Sequence, residues 1–396
     1  MASHMIKTGY GKVLGEIQNT PYSAGTPDTP PSKKKQRPPI LVFSANLPPA
    51  MGGEMNPISP TSLQTPTPKN LLYVQQGSEI QYQPLGDHPI ASGAFGDVWQ
   101  AKRVTNTPEI PSSLLFAAIK EATPGHTLSE LPIHRYLPSH PNVIDFFGVL
   151  GLHEKRAAFA WASGGSFVTI ASKLSQHAAG DLVLLDDALR LLLNDICAGF
   201  VHMHAHGIIH LDVKPANMLV NDKGIGMVGD LGEAHAFGEP PVHNADGWQK
   251  IRHETLENHT PGTLFYASPE ALGAARTAAS AADVWSFGVL VHELLTGHLF
   301  LNTEKDTTTS VQISMMMHMR SEAQYPGSYA IHVANRLANT IPEELPSGPW
   351  LHSMLTRVFV LDPSQRPSME ALKSDPLLSQ FTYDVPTLRG FIAASI

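Results

Sequence analysis

The sequence predicts an α+β fold in which strands come first and helices follow, behind a long segment with no core of its own. Three observations carry this. Residues 6–70 are rich in Pro, Ser, Thr and Gly and show neither helical nor strand periodicity. From Leu71, beginning Leu71-Leu72-Tyr73-Val74, apolar residues alternate in short runs as strands require. From Leu182 to His206, apolar residues at Leu185, Ala188, Leu191, Leu192 and Ile196 are spaced to give a helix one buried face.

Composition bounds the rest. The 396 residues are 42% apolar, ample for a large core. A single cysteine, Cys197, rules out an intramolecular disulfide framework. No apolar run approaches the ~20 residues of a membrane span, so a cytoplasmic or nuclear setting is expected. The net charge of −8 divides unevenly, with +4 on residues 1–70 and −12 on the remainder. Nucleic-acid binders present a clustered basic face, so this acidic body argues against that class. The opening M-A-S-H-M resembles a leader added for expression, with Met5 as the expected natural start and no signal peptide after it.

Residues 1–70 are expected to be a disordered tail, because a segment holding 12 of the 33 prolines buries too little apolar area to offset its ordering entropy. Within it, P-S-K-K-K-Q-R-P-P-I-L-V-F, from Pro31 to Phe43, sets four cations ahead of a short apolar run. This resembles the docking motif through which partners engage mitogen-activated kinases, whose acidic patch takes the cations and whose groove takes alternating apolar side chains. Thr26, Thr29, Ser59, Thr65 and Thr67 each precede a proline, as acceptors of proline-directed kinases do. The run Lys33–Phe43 is also readable as a nuclear localisation signal or a solvated linker.

The chemistry concentrates between Gly207 and Glu233, G-I-I-H-L-D-V-K-P-A-N-M-L-V-N-D-K-G-I-G-M-V-G-D-L-G-E. An apolar strand ends at His210, and Asp212, Lys214 and Asn217 follow before a second apolar strand leads to Asp230. Two carboxylates and an amide at strand ends suit Mg²⁺, a hard cation that accepts one or two carboxylates beside substrate phosphates. Lys214 adds a cation near a transferring anion. This set points to phosphoryl transfer. Zinc is the competing reading, because His202, His206 and His210 are spaced four apart, but Gly207 breaks the helix before His210.

H-x-D-x-K-P-x-N followed by D-x-G at this spacing resembles the catalytic and metal-binding loops of the eukaryotic-type protein kinases. Other landmarks fall in order. Ile90-Ala91-Ser92-Gly93-Ala94-Phe95-Gly96-Asp97-Val98 is similar to the family's glycine-rich loop, with Gly93 and Gly96 kept and Ala91 at the usual first glycine. Leu115 to Lys120 matches the strand ending in the phosphate-clamping lysine, and Glu130 is the best-placed partner for Lys120. Ser129 is expected to cap a helix that Glu130 begins, with Pro132 in its first turn. Phe159 to Phe167, F-A-W-A-S-G-G-S-F, resembles the interlobe hinge, with Phe159 at the back of the pocket. The segment Asp230–Glu270 ends G-T-L-F-Y-A-S-P-E, similar to the family's substrate-positioning loop, and Thr263 paired with Lys214 is typical of serine/threonine kinases. Asp283 matches the buried aspartate that anchors the catalytic loop, and Arg366 the arginine that pairs with Glu270.

The resemblance spans about residues 75–380. It implies a two-lobed fold with an N-lobe over 71–163, a helical C-lobe over 164–380 and a C-terminal tail over 381–396 that the pattern does not place beyond one helix after Arg366. It implies ATP and Mg²⁺ as cofactors, protein substrates, and these roles: Asp212 handling the substrate hydroxyl proton, Lys214 on the γ-phosphoryl group, Asn217 and Asp230 on the metal, Lys120 on the α- and β-phosphates, and Ile90, Val98, Ala118 and Leu219 around adenine. Leu211 stands where many relatives have an arginine that pairs with a phosphorylated activation loop. Activity independent of such phosphorylation follows, although Thr255, Thr260 and Thr263 are available hydroxyls. Ala91, Leu211, Ser268 and the short region before Glu130 also fit a pseudokinase scaffold recruiting cascade kinases through Lys33–Phe43. Intact Lys120, Asp212, Asn217 and Asp230 favour catalysis. A eukaryotic cascade component and a bacterial protein delivered into host cells both fit this architecture.

Overall fold

The computed structural model describes residues 73–75, 80–93, 96–104, 115–151, 154–236, 263–272, 279–301 and 308–396. The tail 1–70 with Lys33–Phe43, the loop tip Ala94-Phe95, and Thr255 and Thr260 lie outside them. Strands β1 (Tyr73–Val74), β2 (Gln81–Pro84), β3 (Ala91–Gly93), β4 (Gly96–Val104) and β5 (Phe116–Glu121) precede a short helix α1 (Leu131–Tyr136), with β6 (Phe146–Val149) and β7 (Arg156–Ala160) after it. They form one antiparallel sheet in the order β1-β2-β4-β5-β7-β6, with β3 also on β4. In β5 the two-residue period sends Ala117 and Ile119 to one face, where they pack with Tyr82, Trp99, Ala101, Leu150 and Ala158. Ala118 and Lys120 take the opposite face.

β8 (Gly165–Ser166) leads into α2 (Phe167–His177) and then α3 (Leu182–Ala205). Asp181 caps α3 by accepting the Leu184 N–H at 2.9 Å, and Gly207, at φ +69°, ends the turn that closes it. The helix thus follows its predicted span of Leu182 to His206 to within one residue. Next come β9 (Ile208–Ile209), a 3₁₀ turn (Pro215–Asn217), β10 (Met218–Val220), β11 (Gly226–Val228) and β12 (His235–Ala236). β10 pairs with β8 and β11, and β9 with β12.

α4 (Pro269–Leu272) precedes α5 (Ser280–Thr296), which is buried almost all round, its polar Asp283, Ser286 and His292 included, each with hydrogen-bond partners. Gly297, left-handed at φ +75°, ends it. α6 (Thr308–Gln324), α7 (Ser328–Thr340), α8 (Gly348–Val358), α9 (Met369–Lys373), α10 (Pro376–Ser379) and α11 (Val385–Ala394) complete the described chain. One core runs from Phe167, Leu192 and Phe200 through Trp285 and Phe287 to Leu388 and Ile392. The strand-first, helix-later order is that of a two-lobed α+β fold.

The C-terminal tail is corrected by this arrangement. Three helices follow Arg366, not one, and residues 381–396 are part of the helical lobe. Asp187 of α3 accepts the Thr382 and Tyr383 N–H groups at 2.6 and 2.9 Å, and Leu388 and Ile392 are fully buried.

Candidate active site

The loop after β9 is shaped by Asp283, a fully buried carboxylate on α5. It accepts the His210 N–H at 2.8 Å, the Leu211 N–H at 2.9 Å and the His204 Nε2 at 2.8 Å, so its charge is offset by donors and not left bare. This fork holds Leu211 at φ +63°, a left-handed conformation that costs a side-chain-bearing residue roughly 1–2 kcal/mol. The buried His210 ring accepts the Asp212 N–H on Nδ1 at 3.2 Å and donates from Nε2 to the Gly229 carbonyl at 2.9 Å. Asp212 and the turn carrying Asp230 are therefore fixed to one imidazole.

Asp212 is itself buried, and each of its carboxylate oxygens is engaged. Oδ1 accepts the Thr263 hydroxyl at 2.9 Å, while Oδ2 accepts Asn217 Nδ2 at 2.9 Å and lies 2.7 Å from Lys214 Nζ. Lys214 Nζ donates in turn to Thr263 Oγ1 at 3.0 Å, closing a ring of carboxylate, hydroxyl and ammonium.

Lys120 reaches across the cleft. Its Nζ lies 2.9 Å from Glu130 and 2.7 Å from Asp230. Burial alone would lower the Lys120 pKa, but the two carboxylates outweigh it and hold the ammonium above its ordinary range. Asp230, despite the opposing effect of burial, is held below the usual carboxylate range by Lys120. Glu130 goes the other way: its burial raises it further than the shared lysine lowers it. Beside this pair the loop before α1 leaves a cavity of about 160 Å³, lined by Lys120, Thr123, His126, Thr127, Leu128, Ser129 and Glu130.

Ala118, Phe159 and Leu219 share one apolar cluster with Leu131, Val149 and Met227, joining strands of both lobes. Val98 is the register partner of Lys120, and Ala118 of Phe159. Ile90 stands at the edge, 53% exposed, with its N–H on the Val98 carbonyl. Gly93 and Gly96 pair across β3 and β4. At Gly96, φ is +128° and a Cβ would sit 1.9 Å from the Glu121 carbonyl oxygen, so only glycine lets β4 start against the end of β5.

The sequence-predicted residues are thus brought together, with one shift of register. Glu130 is the N-cap of α1 and not its first residue, and Ser129 caps nothing: its hydroxyl donates to the Gly232 carbonyl at 3.0 Å. The three histidines do not share one site: the His202 and His206 rings lie 4.5 Å apart, but His210 is turned elsewhere. His202 and His206 contact the Pro138 and His202 carbonyls, while His210 points to Gly229. Arg366 forms the expected fork on Glu270, at 2.6 and 2.8 Å, above the Trp285 ring. Sequence reasoning missed His134, buried between Phe146 and Phe159, and Arg389, whose partner Asp195 lies 194 residues away.

The sequence profile of the protein kinase domain matches residues 86–378. MAP kinase kinase kinase wis4 of Schizosaccharomyces pombe is 26% identical over 303 residues, 74% of this chain but 19% of that protein. Cyclin-dependent kinase B2-1 of Arabidopsis thaliana is 25% identical over 300 residues, covering 72% of this chain and 90% of the relative, and cyclin-dependent kinase B2-2 of the same plant is 26% identical over 243 residues, 60% and 73%. Among the described residues no helix is long and apolar enough to cross a membrane. The chain belongs to the protein kinase domain family.

Proposed function

We propose that the chain is an active protein kinase that transfers the γ-phosphoryl group of ATP to serine or threonine hydroxyls of protein substrates, in or upon a mitogen-activated kinase cascade. The observation that carries this is the ring of Asp212, Lys214 and Thr263, in which a buried carboxylate is oriented by the Thr263 hydroxyl, the Asn217 amide and the Lys214 cation. A scaffold has no chemical need for it.

In this reading the substrate hydroxyl oxygen bonds to the γ-phosphorus as the bond from that phosphorus to the β,γ-bridging oxygen breaks. Asp212 orients the hydroxyl and accepts its proton, and ADP leaves with the bridging oxygen. Lys214 steadies the transferring group, and Lys120 gives up Asp230 to hold the α- and β-phosphates. The donor set fits a divalent cation. Asn217 spends its Nδ2 on the Asp212 carbonyl and carboxylate, leaving the amide oxygen as its ligand, and Asp230 is ionised and 36% exposed. Mg²⁺ held by these two would neutralise phosphate charge. Ala118, Phe159 and Leu219 line the adenine side, with Ile90 and Val98 as its roof.

The serine/threonine preference is supported by Thr263 on Lys214, and the cascade by the basic-apolar run Lys33–Phe43 and the name of the fission-yeast relative. Asp212→Asn should lower Mg-ATP-dependent phosphorylation by at least ~10²-fold, the lower end for a proton-transfer residue. An unchanged rate would leave the pseudokinase scaffold as the better reading. Deleting residues 33–43 should abolish co-purification with a mitogen-activated kinase while sparing phosphorylation of a generic protein substrate.

A further inference from the structure

Arg389 touches none of the residues assigned above, yet it is tied to them. On α11 its guanidinium closes a fork on Asp195 of α3, Nη1 to Oδ2 and Nη2 to Oδ1, both at 2.5 Å, and Nη1 donates to the Gly224 carbonyl at 2.6 Å. Gly224 is the turn between β10 and β11, at φ +69°, and a Cβ there would meet Ile392 of α11 at 3.0 Å. Asp195 Oδ2 also accepts the Gly226 N–H at 2.8 Å, and the Gly226 carbonyl accepts Asn142 Nδ2 at 2.9 Å. Val228 then donates to the Asn142 carbonyl at 2.8 Å, and Gly229 to the Asn217 carbonyl at 2.9 Å. Hydrogen bonds and a few residues of β11 thus connect Arg389 to the two ends of the hairpin, Asn217 and Asp230.

A hairpin with three-residue strands and glycines at 224 and 226 has little stability of its own. What holds it must come from outside. Asp195 is 9% exposed, and Arg389 is the cation that offsets its charge beside the donors Gly226 and Asn142. Burial raises its pKa and Arg389 opposes that, so without the arginine Asp195 takes a proton or water and its hold on Gly226 loosens.

We propose that Arg389 is a positioning residue: through Asp195 it fixes the β10–β11 hairpin so that Asn217 and Asp230 present their oxygens at the separation a divalent cation requires. This rests on the kinase reading, which gives those two residues to the metal.

The test uses the full chain, a fluorescent ADP analogue titrated with Mg²⁺, and amide hydrogen exchange. Arg389→Met should raise the half-saturating Mg²⁺ concentration about tenfold, the low end for loss of a residue supporting a metal ligand. Arg389→Lys keeps the charge but not the fork and should raise it about threefold. Amides of residues 218–229 should exchange about tenfold faster in Arg389→Met. Arg357→Met, which breaks an ion pair with Asp375 elsewhere in the helical lobe, should move neither. Wild-type Mg²⁺ dependence in Arg389→Met, or in Arg389→Lys should the first variant not fold, would overturn the proposal, as would unchanged exchange in the hairpin. If the wild type itself shows no Mg²⁺-dependent binding, the kinase reading fails, and the exchange comparison still decides whether Arg389 holds the hairpin.

Discussion

His134 lies one helical turn beyond Glu130, its N–H on the Glu130 carbonyl at 3.1 Å, and its ring is surrounded by aromatic carbon. Phe159 meets it edge-on at 5.0 Å and Phe146 stacks at 5.8 Å, and Nε2 has no hydrogen-bond partner among the described residues. Burial pushes its pKa down to about 3, with Lys120 adding to the effect. A depressed folded value means that the neutral ring's contribution is fully present above the unfolded pKa near 6.5 and is lost as pH falls towards 3. His134→Leu removes this dependence. Between pH 7.5 and pH 5 the wild type should therefore lose about 2 kcal/mol relative to the variant, at 1.36 kcal/mol per unit. Urea denaturation of both at the two pH values measures it; equal losses would sink the claim. The contrast with Asp212 shows what was legible in the sequence. Asp212, Lys214 and Asn217 lie within six residues on one loop, so their convergence is local and spacing announces it. His134 acquires its character from side chains of β6 and β7, which only the folded sheet brings near.

At the scale of elements, the loop of Asp212 and Lys214 meets Thr263, beyond Asp230, through a hydroxyl, a carboxylate and an ammonium. Leu211 supplies no cation, and Asp212 is oriented by Thr263, Asn217 and Lys214. A phosphorylated Thr255 or Thr260 would lack the arginine partner that usually converts its charge into order. The double variant Thr255→Ala/Thr260→Ala should keep activity within about threefold, since new charge-assisted bonds are what phosphorylation adds. A collapse in a steady-state phosphorylation assay would refute this. Elements differed in how far their own sequence described them. α3 has a capping aspartate, a helical apolar stripe and a glycine stop, so its limits could be read directly. α11 opens on an Asp384 cap with Pro386 in its first turn, where proline costs little, but Gly390 in its interior is a weak helix former, and its place is set by Asp187, Asp195 and the core it covers. Its neighbours in space are some two hundred residues away in the chain, which is why the tail could not be placed. α1 fell between the two: Pro132 marked the first turn, but Ser129 was drawn to Gly232 of the other lobe, and the cap moved to Glu130.

Taken as a whole molecule, the two lobes are unequal partners. The helical lobe has one continuous core around α3 and α5, whereas the sheet's apolar side chains fall into two smaller clusters, one of which borrows Met227 and Leu219 from the helical lobe. The sheet is therefore held in part by what crosses the cleft, and Lys120 crosses it, bonding Glu130 within the small lobe and Asp230 in the other. Glu130 is 2% exposed, and the Leu231 N–H is the further donor to its carboxylate. In Lys120→Met, Asp230 can turn to solvent but Glu130 cannot, so the variant leaves a buried carboxylate without its cation, a loss of roughly 3 kcal/mol or more. Protonation relieves it. A raised folded pKa means the relief is complete below the unfolded carboxylate value and disappears as pH climbs through the folded value, so the damage grows with rising pH. Amides of β5 and α1 should then exchange about a hundredfold faster than in wild type at pH 8 and by a smaller factor at pH 5, after correction for intrinsic rates, while those of α3 and α5 keep their protection. Uniform loss of protection across both lobes would show instead that the molecule opens as one unit, and that the cleft pair is not what secures the sheet.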